Sequence, residues 1–176
     1  ALCASVMQAI VACPKPVIAE VRGVATAAGC QLVATCDLAV AEDGARFGTP
    51  GVHIGLFCST PMVALSRNVS RKHAMEMLLT GDMITAPHAV EMGLVNKAVP
   101  EAELSATTEE MAAKIAAKST MTLATGKSAF YRQAEMGLAE AYNYAAQVMV
   151  DNMLTHDAEE GIGAFIEKRH PQWQDK

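Results

Sequence analysis

The sequence predicts an α/β fold, with a first half rich in ββα units followed by an all-helical tail. Three observations point there. Short apolar runs of β type occur at residues 17–21 and 37–41, bounded by Gly23 and by the turn material Glu42-Asp43-Gly44. Helix-period segments with local caps are interleaved with them. Beyond Pro100 the apolar residues recur only at helical spacing, as far as Arg169. Hydrophobic residues make up 51% of the 176 and charged residues 19%, which excludes an intrinsically disordered chain.

Each element has a local cause. Leu2, Val6, Ala9 and Ile10 fall at helical spacing, and Pro14 and Pro16 stop that helix. Val17-Ile18-Ala19-Glu20-Val21 reads as a strand. Val24-Ala25-Thr26-Ala27 reads as a turn, and a short helix follows over 28–36. Residues 37–41 form a second strand, Arg46-Phe47 resumes extended structure, and Thr49-Pro50-Gly51 breaks it. The pattern is helical from Pro61. Ser70 caps a helix carrying Met75, Leu78 and Leu79, which ends at Gly81-Asp82. Thr85 with Pro87 opens a short helix that stops at Gly93. Residues 94–99 read as a strand ended by Pro100. The helices of 101–169 break near Lys118-Ser119 and near Gly137. Asp157 with Glu160 reads as the capping pair of a last helix over 158–169.

Composition narrows the function classes. With 14 basic against 19 acidic residues the net charge is -5, so no basic footprint for nucleic acid is expected. Residues 24–41 are the most apolar stretch and long enough to span a bilayer, but Gln31 and Asp37 lie inside it. They are read as buried elements of a soluble protein, with no membrane partner. The five cysteines, at 3, 13, 30, 36 and 58, have no zinc-type spacing, so no metal is expected. They are read as reduced core thiols of a cytosolic or matrix-like compartment. Aromatics are 5% and Met numbers 11, so the core is expected to use small and flexible side chains. No secretory or transit signal is read, and residues 1–12 already look like the inside of a helix. The expectation is a piece of a longer domain that is not secreted.

The chemistry is sought where the first strand runs through small residues into the helix carrying Gly29. A helix start exposes N–H groups without internal partners, and small residues admit a ligand to the backbone. Such a place suits an oxyanion or a polarised carbonyl. Tight helix-on-strand packing is the alternative account of the same small residues. Neither phosphate-binding glycine pattern is present.

The run Pro16-Val17-Ile18-Ala19-Glu20-Val21-Arg22-Gly23-Val24-Ala25-Thr26-Ala27-Ala28-Gly29-Cys30-Gln31-Leu32 resembles the signature of the enoyl-CoA hydratase/isomerase (crotonase) family. So do Cys36-Asp37-Leu38-Ala39-Val40-Ala41 followed by Phe47-Gly48-Thr49-Pro50, then Ala74 to Gly81, Ala89 to Gly93 with Leu94-Val95, and Gly161 to Arg169. These matches stand in the family's order and cover nearly the whole chain. The resemblance implies a ClpP-like spiral of ββα units with a helical C-terminal region. Residues 1–100 would be the later part of the spiral core. Residues 101–176 would serve trimer formation and active-site closure. The implied ligand is an acyl-CoA thioester, with coenzyme A carried as part of the substrate and no separate cofactor. A homotrimer or hexamer is implied, in a bacterial cytoplasm or a mitochondrial matrix.

The resemblance also implies a pair of backbone N–H groups on the thioester oxygen. One would be that of Ala28, and the other would precede Ala1. Ala25, Thr26, Gly29 and Ser59 would join Ala28 in substrate binding. The two glutamates of ordinary hydratases fall on Gln31 and Gly51. An amide holds no titratable proton in the useful range, and glycine has no side chain. Ser59, near which family isomerases carry a carboxylate, is a hydroxyl. His53, two residues past Gly51, would share its face in an extended segment and offers a replacement base. Cys58 with Ser59 is a weaker nucleophile pair, lacking a nearby histidine. Asp37 is read as a structural cap. Arg67, Arg71, Lys72 and His73 are read as a solvated face, with a CoA phosphate site as the alternative. Classical hydration is therefore not expected to persist. The rival functions are a lyase or isomerase using other residues, a decarboxylase, and a non-catalytic acyl-CoA-binding or structural subunit.

Overall fold

The computed structural model describes residues 2–175, and Ala1 and Lys176 lie outside them. The chain divides into two compact units, Ala1–Val11 with Val17–Ala112 and Ala12–Pro16 with Ala113–Lys176.

The elements of the first unit are α1 (Leu2–Ala12), β1 (Ile18–Val21), β2 (Val24–Thr26), α2 (Ala28–Thr35), β3 (Leu38–Glu42), β4 (Arg46–Gly48), a 3₁₀ turn (Pro50–Ile54), α3 (Ser59–Asn68), α4 (Arg71–Thr80), β5 (Ile84–Thr85), α5 (Ala86–Glu91), β6 (Lys97–Val99) and the start of α6 (Leu104–Ala116). β1-β2-α2 and β3-β4-α3 are successive copies of one ββα plan. β1 pairs in parallel with β3, Ile18 opposite Leu38, and β2 with β4, Val24 opposite Arg46. Each ββα unit thus lays one strand on each of two sheets, ordered β1-β3-β6 and β2-β4-β5, as the ββα spiral implied by the resemblance requires.

The core is built as composition predicts. Phe47, Leu65, Met77 and Leu78 are its large buried members. Ala34, Ala39, Ala41, Ala45, Ala86 and Ala89 fill the spaces between elements. Burying a side chain of Phe or Leu size is worth about 1.5–3 kcal/mol, so a few such anchors organise the small residues around them. The local signals operate as read. Ser70 Oγ accepts from His73 N–H, Thr85 Oγ1 from His88 N–H, and Gly81 and Gly93 end their segments at φ 70° and 82°.

Several expectations fail where a distant partner intervenes. Val24–Thr26 is a strand, not a turn, because β4 supplies its hydrogen bonds from twenty-odd residues away. The strand expected over 94–99 begins only at Lys97. Leu94 and Val95 instead point into the core, and Asn96 exchanges bonds with the Ala39 backbone at 2.8 Å each way. The helix expected from Pro61 starts at Ser59. Cys30 is a core thiol, but Cys3 is exposed, so the five cysteines are not all core residues.

The second unit holds the rest of α6, then α7 (Thr120–Gln133), α8 (Leu138–Met153) and α9 (His156–Glu167). Ser119 and Gly137 stand at the breaks expected there. A third break, at Leu154-Thr155, separates α8 from α9. Thr155, not Asp157, is the N-cap of the last helix, its hydroxyl accepting from Ala158 N–H at 3.3 Å. Among the described residues no helix is long and apolar enough to cross a membrane.

Candidate functional site

β2 and β4 end side by side. Thr26 lies opposite Gly48, and Ala27 N–H donates to Gly48 O at 3.0 Å. From these adjacent ends the chain leaves twice, through Ala27 into α2 and through Thr49 into the 3₁₀ turn. The topology therefore gathers Thr26, Ala28, Gly29 and Gly51 at one rim. Cys58, and with it the Ser59 start of α3, joins them by packing on Gly51. Ala25 reaches the rim only through its backbone, since its side chain is in the core.

Ala27 is the residue that sequence reasoning missed. It adopts φ 46° and ψ -110°, a region that an L-residue other than glycine occupies only under constraint. Such a conformation costs on the order of 1–3 kcal/mol. Its N–H bond to Gly48 and the Gln31 N–H bond to its carbonyl, at 2.9 Å, hold it there. Nothing in an alanine announces a positive φ, so the sequence carries no signal for it. The effect is to start α2 abruptly. No side chain caps the helix, and the N–H groups of Ala28 and Gly29 have no acceptor among the described residues. Ala28 is exposed. A Cβ added at Gly29 would meet only the Ala25 Cβ, at 4.0 Å, so packing within this chain does not demand glycine there. The pair of unpaired N–H groups, the dipole of α2 and the bare backbone at Gly29 suit a partly negative oxygen.

The two positions on which the resemblance places glutamates differ in kind. Gln31 lies on α2 one turn beyond Ala28 and is 4% exposed. Its Oε1 faces the Cys3 thiol at 3.7 Å, a weak sulfur contact. At Gly51 a Cβ would lie 2.6 Å from Leu56 O and 2.9 Å from Cys58 Sγ. The turn is closed by the Leu56 N–H bond to Gly51 O at 2.9 Å. Position 51 thus lacks a carboxylate and also lacks room for any side chain on this backbone.

His53 does not share a face with Gly51, because the segment is a 3₁₀ turn and not extended. Its Nε2 lies 3.2 Å from Gly81 O at the end of α4, and the ring occupies the space a Cβ at Gly81 would need. Ser59 Oγ donates to Phe57 O at 3.2 Å, turned onto its own backbone. Burial pushes the Cys30 thiol up to about 12, against a hydrogen bond from Gly48. Asp37 is expected as a cap, but its carboxylate accepts Val17 N–H at 2.7 Å and so ties the start of β3 to the segment before β1. Arg67 turns onto Val63 O of its own helix at 3.3 Å, and Arg71 and Lys72 are exposed. Among the described residues no group of three or more His, Cys, Asp or Glu is placed to hold a metal ion.

A family model described as enoyl-CoA hydratase/isomerase matches residues 3–176. The enoyl-CoA hydratase domain-containing protein 3, mitochondrial, of Xenopus laevis is 54% identical over 97% of this chain and 58% of its own length. The chain thus spans little more than half of that curated relative. Among solved structures, the human enoyl-CoA hydratase domain-containing protein 3 superposes with a TM-score of 0.94 at 54% identity, covering 97% of this chain and 68% of that one. An enoyl-CoA hydratase of Mycobacterium smegmatis gives 0.95 at 54% identity, over 97% and 66%.

Proposed function

The chain belongs to the enoyl-CoA hydratase/isomerase family, and from that premise we propose that it binds an acyl-CoA thioester at the start of α2 but does not hydrate enoyl thioesters efficiently. The thioester oxygen accepts from Ala28 N–H, with Thr26, Gly29 and Ser59 around it. The observation that carries this reading is the uncapped start of α2, where the Ala28 and Gly29 N–H groups have no acceptor among the described residues and the glycine is not required by packing. A backbone donor of this kind survives side-chain change and is worth about 2.7–4 kcal/mol to a developing oxyanion.

The acid–base half of hydration has no equivalent support. Each positioned acid or base contributes roughly 10²–10⁴ in rate. Gln31 cannot take a proton from water, and Gly51 has no space to hold a carboxylate. Titration of the full-length protein with a non-hydrolysable acyl-CoA should give binding at one site per subunit. Hydration of crotonyl-CoA should be slower than by an ordinary hydratase by at least about 10⁴. Absence of binding heat would overturn the thioester site, and a fast steady-state rate would overturn the loss of hydration.

The same two positions favour a second reading. An enolate formed by loss of CO₂ needs an oxyanion site but no base, so decarboxylation of a malonyl-type thioester fits a rim without carboxylates. Release of CO₂ from such a thioester separates this from a non-catalytic binding subunit. Assembly into a homotrimer or hexamer is supported by the exposed apolar residues of the second unit, among them Leu138, Tyr142 and Phe165. Sedimentation of the full-length protein tests it. Relatives at 54% identity include proteins named mitochondrial and one from a bacterium, which supports either compartment.

A further inference from the structure

At the end of the second unit, residues 169–175 run from the end of α9 to the α6–α7 junction. Two carboxylates on α9 hold them. Glu160 receives the Arg169 guanidinium at 2.6 and 2.8 Å and Gln172 N–H at 2.7 Å. Asp157 is 2% exposed. One of its oxygens accepts Gln174 N–H at 2.8 Å and the other Asp175 N–H at 3.0 Å, and the Ser119 hydroxyl donates to it as well.

The tail supplies what the junction lacks. A helix leaves its last carbonyls and first N–H groups unpaired. Trp173 Nε1–H donates to Ala117 O at 2.8 Å, just past the end of α6. Asp175 Oδ1 accepts Thr120 N–H at 2.7 Å and Met121 N–H at 3.3 Å, the first two of α7, where the helix dipole favours a negative charge. The Trp173 ring lies so close over Gly161 that an added Cβ would come within 3.2 Å of it. Both ends of the tail carry left-handed backbone at non-glycine residues, Lys168 at φ 57° and Asp175 at φ 58°.

We propose that residues 169–175 form a strap that opens and closes as one unit, keyed by the buried Asp157 carboxylate, and that its release uncaps α7 and frees α9 from the α6–α7 junction. The coupling runs through Asp175. Its N–H is held by Asp157 while its carboxylate holds Thr120 and Met121, so losing the first contact loosens the second. Lys168 turns the chain from α9 into the strap, its left-handed backbone closed by the Lys168 N–H bond to Phe165 O at 3.3 Å and the Arg169 N–H bond to Ala164 O at 3.0 Å.

The charges facing Asp157 are few. His156 on its own helix stands 3.9 Å away, Ser119 donates from the start of α7, and the tail offers two N–H groups. These donors hold the Asp157 carboxyl below the usual carboxylate range, with Ser119 the foremost. Arg169 and Gln172 hold Glu160 at about 2. A group depressed in the folded state stabilises above its unfolded value and loses that contribution as pH falls through its folded value. The strap is therefore closed at neutral pH and opens in acid.

Asp157→Asn keeps the shape but sets an amide NH₂ against one of the two N–H donors. Trp173 is the chain's single tryptophan, so its fluorescence reports the strap directly. At neutral pH the variant should keep its helical circular dichroism, let acrylamide quench Trp173 more strongly, and raise amide exchange at Thr120 and Met121 at least about tenfold. Asp157 touches neither of those amides but holds Ser119, the N-cap of α7, so the same rise at Thr120 and Met121 is required of Glu160→Gln, which touches none of Asp157's partners. Glu160→Gln should likewise speed exchange at Gln174 and Asp175, which Glu160 does not touch. If in either variant the change stops at the amides bonded to the altered side chain, there is no strap, only separate contacts. Should Asp157→Asn fail to fold, Glu160→Gln decides alone by the same criterion.

Discussion

Placing a carboxylate at position 51 by Gly51→Glu should not confer hydration. A Cβ at 51 would stand 2.6 Å from the Leu56 carbonyl oxygen and 2.9 Å from Cys58 Sγ. Either distance is shorter than non-bonded atoms tolerate. Cys58 could turn away, but Leu56 O belongs to a backbone whose own N–H is tied to Gly51 O at 2.9 Å. The loop must therefore open, and overpacking of this kind costs about 1–3 kcal/mol. That corresponds to a fall in Tm of roughly 2–12 °C for a chain of this size. Gly51→Ala should show most of the fall, because the clash lies at Cβ. The combination Gly51→Ala with Cys58→Gly should recover only the part due to the sulfur. Thermal melts of the three variants give the energies, and crotonyl-CoA hydration by Gly51→Glu with Gln31→Glu gives the chemistry. A double variant that melts with the parent and hydrates like an ordinary hydratase would refute both the crowding argument and the closed site.

Ala27→Val should destabilise by more than about 2 kcal/mol and weaken acyl-CoA binding, because a β-branched residue resists φ 46°. Ala27→Gly should melt at or above the parent temperature, which the same scans would check. Native protein treated with iodoacetamide at mildly alkaline pH should carry the label on exposed Cys3 and not on Cys30, whose thiol is held near 12 by burial. Peptide mass mapping before and after unfolding checks this. The Glu160 carboxylate, held at about 2 mainly by Arg169, should stay ionised through the range where an ordinary glutamate protonates. Its stabilisation should be complete above about pH 4.5 and fade as pH falls towards 2, as followed by the carboxyl carbon shift in NMR.

Much of this molecule is legible because its causes are local. Pro14, Ser70, Gly81, Thr85 with Pro87, Gly93 and Ser119 act within a turn of their own position, and helices start or stop where they stand. The small residues of 25–29, the amide at Gln31 and the glycine at 51 are likewise visible in the chain itself. What local reading could not supply depends on partners far along the chain. Val24–Thr26 looks like a turn until β4 pairs with it. Asp157 looks like a helix cap until residues 174 and 175 return to it. His53 would neighbour Gly51 along a strand, but the 3₁₀ turn directs it to Gly81. The positive φ of Ala27 and the closed space at Gly51 have no signature in residue type at all. Both are set by backbone atoms of Gly48 and Leu56. Propensities and caps are properties of a few consecutive residues, whereas strain and free volume exist only once separate segments have been packed against one another.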